Sequence, residues 1–232
     1  MKRFYKEVAV VARDDRFAVE LDARPVRTPR RNLLALSSRA LAEAIAEEWR
    51  RQEDEIVPTS MPMLRLANTA LDVIGAQRGA VIDNIAGYGG SDLVCYWADG
   101  PEALVARQRQ AWQPLLDWLE QRFSVRLRLT GGLAPVEQDA AHLAALRQAV
   151  AAFDDMELAV ANDLTTISGS LVIALAVMHG ELDVEQAWAA AHVDEAFQAE
   201  RWGEDHEAAA RAARLQDELR EAGRFLDLHR DG

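Results

Sequence analysis

The strongest constraint on this chain is a change of period near residue 35. Upstream, apolar residues come in short alternating runs between turn formers. Downstream, they recur every three or four residues almost to the end of the chain. Phe4 to Val11 is rich in β-forming residues, Asp14-Asp15 can turn, and Phe17 to Leu21 alternates between faces. Asp22-Ala23 can turn again, and Arg24 to Pro29 is held extended because each proline disfavours the helical region for the residue before it. A small antiparallel β unit is expected here.

The helical part begins where Ser37 or Ser38 can cap a helix running to Gln52, with Leu41, Ile45 and Trp49 on one face. Further helices are expected over Met61 to Ile74, closed by Gly75, and over Val81 to Tyr88. Another should span Ala103 to Phe123, where Pro114 should kink or divide it. Val125 to Leu129 alternates like a strand. Helices follow over Ala140 to Phe153, Met156 to Met178, Val184 to Arg201 and Glu204 to Ala222. The expected class is α+β: a β-rich N-terminal domain over 1–60 and a larger, mainly helical domain over 61–232.

Charge and apolar content narrow the function. The net charge is −12, a surface that nucleic acid repels unless a local basic patch overrides it. The one arginine cluster, Arg24, Arg27, Arg30 and Arg31, lacks interleaved aromatics, so no nucleic-acid partner is expected. The longest apolar run, Leu171 to Met178, is far short of the roughly 20 residues a spanning helix needs, so no membrane insertion is expected. One cysteine allows no internal disulfide and fits a reducing compartment. With no apolar leader segment after Met1, the expected location is the cytoplasm.

Catalytic signatures are weak. Cys95 lies in the apolar run Asp92 to Trp97 and reads as a core residue rather than a nucleophile. Gly89-Gly90-Ser91 lacks the lysine of a phosphate-binding loop. His192 and Glu195, three apart, could join His206 around a metal, but no second such pair completes a bundle site. No cofactor and no catalytic residue is expected, and the chain reads as a protein that holds another protein.

The informative feature is geometric. On one helix from Val184 to Arg201, Val184, Ala187, Trp188 and Ala191 share a face, and Glu195 falls only about 20° from Val184. Glu195 then lies on an apolar stripe that Trp202 would continue. It is either a buried ion-pair member or a partner-contacting residue beside an aromatic. The region is strongly acidic, with Glu181, Asp183, Glu185, Asp194, Glu200, Glu204, Asp205 and Glu207 among its members, and could dock a basic segment. Glu195, Trp188, Trp202, Asp205 and Glu207 are the candidate partner-binding residues.

Several segments together carry a resemblance. Lys2 to Lys6, Leu21 to Pro29, Pro62 to Asp72, Asp92 to Tyr96, Trp112 to Trp118, Gly169 to Ala176, Ala187-Trp188, Asp194 to Gln198 and Trp202 to Asp205 with Glu207-Ala208 occur in order along nearly the whole chain. In this set the sequence resembles the ATP-twelve family of ATP synthase assembly chaperones. Ala23 stands where that family usually has glycine, Leu64 where it has threonine, and Gly89-Gly90 where bulkier residues are common. The resemblance implies a small β-containing N-terminal domain, a helical C-terminal domain, and binding of the unassembled alpha subunit of the catalytic sector to prevent its aggregation. It implies a bacterial cytoplasmic site of action, with eukaryotic relatives in the mitochondrial matrix. A metal-dependent enzyme using His192, Glu195 and His206, or a helical scaffold with another partner, are the alternatives.

Overall fold

A computed structural model describes residues 1–132, 134–203 and 205–231. The expected α+β class is borne out: a small N-terminal antiparallel sheet precedes a mostly helical remainder. The chain forms two compact units. The first holds residues 1–78, 155–160 and 221–232, and the second holds 79–154 and 161–220. The unit that contains residues 1–60 thus also takes in 61–78 and two segments from much later in the chain.

In the first unit, β1 (Val8–Arg13) and β2 (Arg16–Leu21) form a hairpin in the register Val8↔Leu21 to Arg13↔Arg16. The short strands β3 (Arg24–Pro25) and β4 (Ala35–Leu36) both pair antiparallel with β2. The β2–β3 turn places Asp22 and Ala23 at φ 48° and 61°. The Asp22 carboxylate anchors this turn by accepting the backbone N–H groups of Lys6 and Glu7 at 3.0 and 2.9 Å. Helix α1 (Arg39–Arg50) starts at Ser38, whose hydroxyl accepts the Leu41 N–H at 3.2 Å. It buries Leu41, Ala42, Ile45, Ala46 and Trp49 and packs on the sheet, where Ala18 and Val19 are fully buried.

Helix α2 (Pro62–Thr69) has no side-chain cap of its own. Glu48 of α1 supplies one, its carboxylate accepting the N–H groups of Met63 and Leu64 at 2.7 and 2.9 Å. Gly75 was expected to end this helix and does not. The chain widens into a π turn over Ala70–Ile74 and continues as α3 (Gly75–Gly87), with the non-helical residue at Gln77. The π turn brings the Asp72 carboxylate to the Thr28 hydroxyl at 2.5 Å, the Arg30 N–H at 2.9 Å and the Asn32 amide at 2.8 Å. The proline-punctuated arginine segment is thereby pinned to a helix more than forty residues away.

In the second unit, α4 (Glu102–Phe123) is one helix. Pro114 lies inside it without dividing it. The expected strand at Val125 to Leu129 is absent. Val125 and Leu127 are buried in alternation, but no strand pairs with them. The Gln138 side chain takes a strand's place, accepting the Arg128 N–H at 2.8 Å and donating to the Arg128 carbonyl at 2.9 Å. Two-residue strands β5 (Tyr96–Trp97) and β6 (Thr130–Gly131) pair in parallel nearby. Helix α5 (Ala140–Ala151) follows.

The expected helix from Met156 to Met178 is two helices, α6 (Asp155–Ser168) and α7 (Leu171–Met178). Gly169, at φ +68°, ends the first, and Ser170 caps the second. Every residue of α7 is buried. The expected helix from Val184 to Arg201 is likewise broken, into α8 (Val184–Ala191) and α9 (Val193–Trp202), with His192 at φ −116° and ψ 29°. Helix α10 runs over His206–Arg230. Glu204, the expected start of that helix, lies outside the described residues. Among the described residues no helix is long and apolar enough to cross a membrane.

Candidate partner-binding surface

The break at His192 decides what the acidic C-terminal region presents. Helix α8 starts with a reciprocal cap: Asp183 accepts the Gln186 N–H at 2.8 Å, and Gln186 accepts the Asp183 N–H at 2.9 Å. It ends where the fully buried Trp112 of α4 donates its indole N–H to the Ala190 carbonyl at 2.8 Å. One helical turn earlier on α4, the buried Gln108 amide donates to Asp194 at 2.7 Å. These two bonds hold the end of one helix and the start of the next, and the chain steps out of helical phase between them.

The step resets the faces. The single stripe running from Val184 through Glu195 does not exist. Helix α9 buries Val193 and Phe197, and Glu195 is exposed. The buried ion-pair reading of Glu195 falls with the stripe. Trp188 is half-buried, its ring stacked on that of His192 at 3.6 Å between centroids, so it belongs to the α8 side of the break.

Two arginines, Arg107 of α4 and Arg201 of α9 itself, approach the Phe197 ring. The Arg107 and Arg201 guanidinium groups lie 5.1 and 4.4 Å from the centre of the buried Phe197 ring. Arg107 also makes two bonds to the Glu200 carboxylate, at 2.7 and 2.6 Å, which hold that carboxyl below its usual range. Arg220 does the same for Glu185, with Gln216 assisting. The acidic region therefore carries internal partners that sequence reading did not find, because Arg107 lies 93 positions from Glu200.

The opposite face of α9 remains at the surface. Glu195 and Trp202 are seven residues apart on one helix, which returns them to within about 20° of the same face. The Trp202 side chain is 77% exposed. Asp205 follows and caps α10, accepting the N–H groups of Glu207 and Ala208 at 2.8 and 3.2 Å. Both Asp205 and Glu207 are exposed. Of the five candidate residues, Glu195 and Trp202 thus share a helix face, Asp205 and Glu207 sit at the next helix start, and Trp188 is engaged with His192.

The residues weighed for a catalytic or metal-binding role lie apart from this surface or take no such arrangement: Cys95 reads as core in the sequence and is core in the fold. Cys95 is fully buried, and that burial, with Asp92 nearby, pushes its thiol up to about 12. It is therefore a protonated core residue at neutral pH. The His192 ring nitrogen lies 3.0 Å from the Trp188 carbonyl. Among the described residues no three His, Cys, Asp or Glu side chains gather as metal ligands.

Comparison with known proteins places this geometry in context. A family model described as ATP12 chaperone protein matches residues 2–120. The crystal structure of Atp12 from Paracoccus denitrificans is 44% identical, covers 98% of each chain and superposes with a TM-score of 0.94. A crystal structure from Agrobacterium tumefaciens is 40% identical, spans 97% of this chain and 85% of its own, and gives a TM-score of 0.92. The mitochondrial atp12 protein of Schizosaccharomyces pombe is 22% identical over 214 residues, 87% of this chain and 74% of that one.

Proposed function

The chain belongs to the ATP12 chaperone family, and from that premise we propose that it binds the unassembled alpha subunit of the ATP synthase catalytic sector and keeps it from aggregating until its partner subunit arrives. An unassembled ring subunit exposes a large interface that is partly apolar, which is an aggregation hazard. A holder that covers this surface needs no nucleotide, and the sequence carries no Walker-type loop. The protein would act in the bacterial cytoplasm, as its mitochondrial relatives would in the matrix.

The observation that supports this reading best is the exposed face of α9. An indole that is 77% exposed stands two turns from Glu195 and just before Asp205 and Glu207. An exposed aromatic with carboxylates on its own helix face and at the next helix start is suited to a basic, partly apolar client surface. Trp202, Glu195, Asp205 and Glu207 are the proposed contacts. Trp188, half-buried and stacked on His192, is the fifth proposed contact.

The test is light scattering of free alpha subunit at the temperature where it aggregates, with and without the purified protein and without ATP. The expected result is stoichiometric suppression. Identical scattering in both samples ends the proposal.

A further inference from the structure

The first unit carries a second surface that the acidic face of α9 does not explain. A groove of about 710 Å³ is lined by Trp49, Ile56, Met61, Leu64, Asn68 and Val73, together with Arg30 and Arg65. That volume is within the roughly 300–1,000 Å³ typical of ligand sites. Val73 is 40% exposed, a large apolar side chain left at the surface.

Two polar atoms of groove-lining residues are orphaned. The Trp49 indole N–H and the Asn68 Oδ1 are both buried with no hydrogen-bond partner among the described residues. One is a donor and the other an acceptor. A buried polar group left unpaired costs roughly 1–3 kcal/mol, so an occupant that serves both would bind with that advantage. A polypeptide main chain offers one C=O and one N–H per residue. A helix has already spent those groups on itself. An extended segment has not, which favours it over an amphipathic helix. Both atoms are shut off from water, so a seated segment reaches them through side-chain rotations of the kind common at interfaces.

The charges in the lining select further. Arg30 and Arg65 both line the groove and are exposed. The one acidic liner, Asp72, has its carboxylate taken by Thr28, Arg30 and Asn32. On a chain of net charge −12, two arginines against one carboxylate make this largely apolar lining locally basic. We propose that this groove binds an extended, apolar segment of a client polypeptide that is flanked by acidic residues, through main-chain bonds to Trp49 and Asn68. The proposal deepens the reading of the protein as a holder of unassembled polypeptide, but its test reads peptide binding alone.

The probe is a fluorescein-labelled decapeptide with a core of alternating valine and leucine and aspartates at both ends, titrated with the full chain by fluorescence anisotropy. Saturable binding is expected. Methylating the backbone nitrogens of the peptide core should weaken it roughly tenfold, the scale of one lost hydrogen bond. Replacing the aspartates by lysines should weaken it by a similar factor, with the difference shrinking as salt rises. Asn68→Ala should show the same loss as backbone methylation, because both remove the bond from a peptide N–H to Asn68, and adding Trp49→Phe should weaken binding roughly tenfold further. The methylated peptide acts on the unaltered chain, so the test survives a variant that folds poorly. No binding, equal binding of the methylated peptide, or tighter binding of an amphipathic helical peptide overturns the proposal. Suppressed aggregation of the alpha subunit without peptide binding would leave the chaperone reading standing and remove only the groove.

Discussion

The Asp92 carboxylate and the Ser170 hydroxyl meet at 2.5 Å across 78 positions of sequence, both fully buried. The same carboxylate accepts the Val172 N–H at 3.0 Å, while Ser170 accepts the Ile173 N–H at 3.0 Å. Between them they serve the start of α7, a helix with no exposed residue and hence no water to satisfy its first N–H groups. Burial pushes the Asp92 carboxyl up to about 6, against the opposing pull of Ser170 and the backbone N–H groups.

Ser170→Ala removes a helix cap and one partner of a buried carboxylate. The expected cost is about 2–4 kcal/mol, combining a cap with a charged hydrogen bond. Asp92 already has a folded value above its ordinary 3.8, so its contribution to stability is present below that value and is lost as pH rises through about 6. Losing the bond that favours the ionised form raises the folded value further. Urea unfolding should therefore show a larger deficit for the variant at pH 7.5 than at pH 5. An equal deficit at both would mean that Asp92 does not titrate in this window.

Glu48 makes a parallel prediction in the first unit. Burial, with a smaller upward push from Glu221, holds its carboxyl at about 7 despite the N–H bonds from Leu64 and Met63. The ordinary value is 4.5, so the stability linked to it is full below pH 4.5 and disappears as pH rises through 7. Glu48→Gln should flatten the fall in melting temperature between pH 5 and 8. Each 1 kcal/mol recovered corresponds to about 2–4 °C for a chain of this size. Parallel melting curves for the two proteins across that range would exclude Glu48 as the source.

The exposed face of α9 separates stability from binding. Trp202→Ala and Glu195→Lys alter side chains that sit at the surface, so each should leave stability within about 0.5 kcal/mol of the parent. Each should nonetheless weaken capture of the alpha subunit, with Trp202→Ala costing about 2 kcal/mol if the indole anchors the contact. Chemical denaturation and a pull-down with free alpha subunit measure the two quantities independently. Full capture by both variants would move the client contact elsewhere.

How much of this was legible follows from where each signal resides. The change of period, the Ser38 cap and the Asp22-Ala23 turn are local, and each appeared as expected. The break at His192 is not local. The run Ala189-Ala190-Ala191-His192-Val193 holds no proline or glycine, and the interruption is fixed by Trp112 and Gln108 on another helix. The π turn at Ala70–Ile74 similarly accompanies the docking of Asp72 on Thr28, Arg30 and Asn32. The alternation at Val125 to Leu129 reports real burial, but a glutamine side chain supplies the bonds that a strand would. Gly169-Ser170 was a readable stop and start, masked by the continuous apolar run Leu171 to Met178 that follows it. The candidate surface was legible as composition, and its geometry was not, because helical phase was carried through a break that only tertiary bonds reveal.

Ala23 offers the most local test of these arguments. It stands at φ 61°, in a region where a Cβ costs roughly 1–2 kcal/mol. The Asp22 carboxylate, bonded to Lys6 and Glu7, holds the turn in this conformation whatever residue follows. Ala23→Gly relieves the strain but loosens the unfolded chain, which returns roughly 0.4–1 kcal/mol. The balance is a gain of about 0.5–1 kcal/mol, seen as a higher urea midpoint at unchanged slope. Asp22→Ala should move the midpoint the other way, because it frees two N–H groups and leaves the left-handed turn unsupported. A destabilised Ala23→Gly variant would mean that chain entropy, not the Cβ, dominates at this turn.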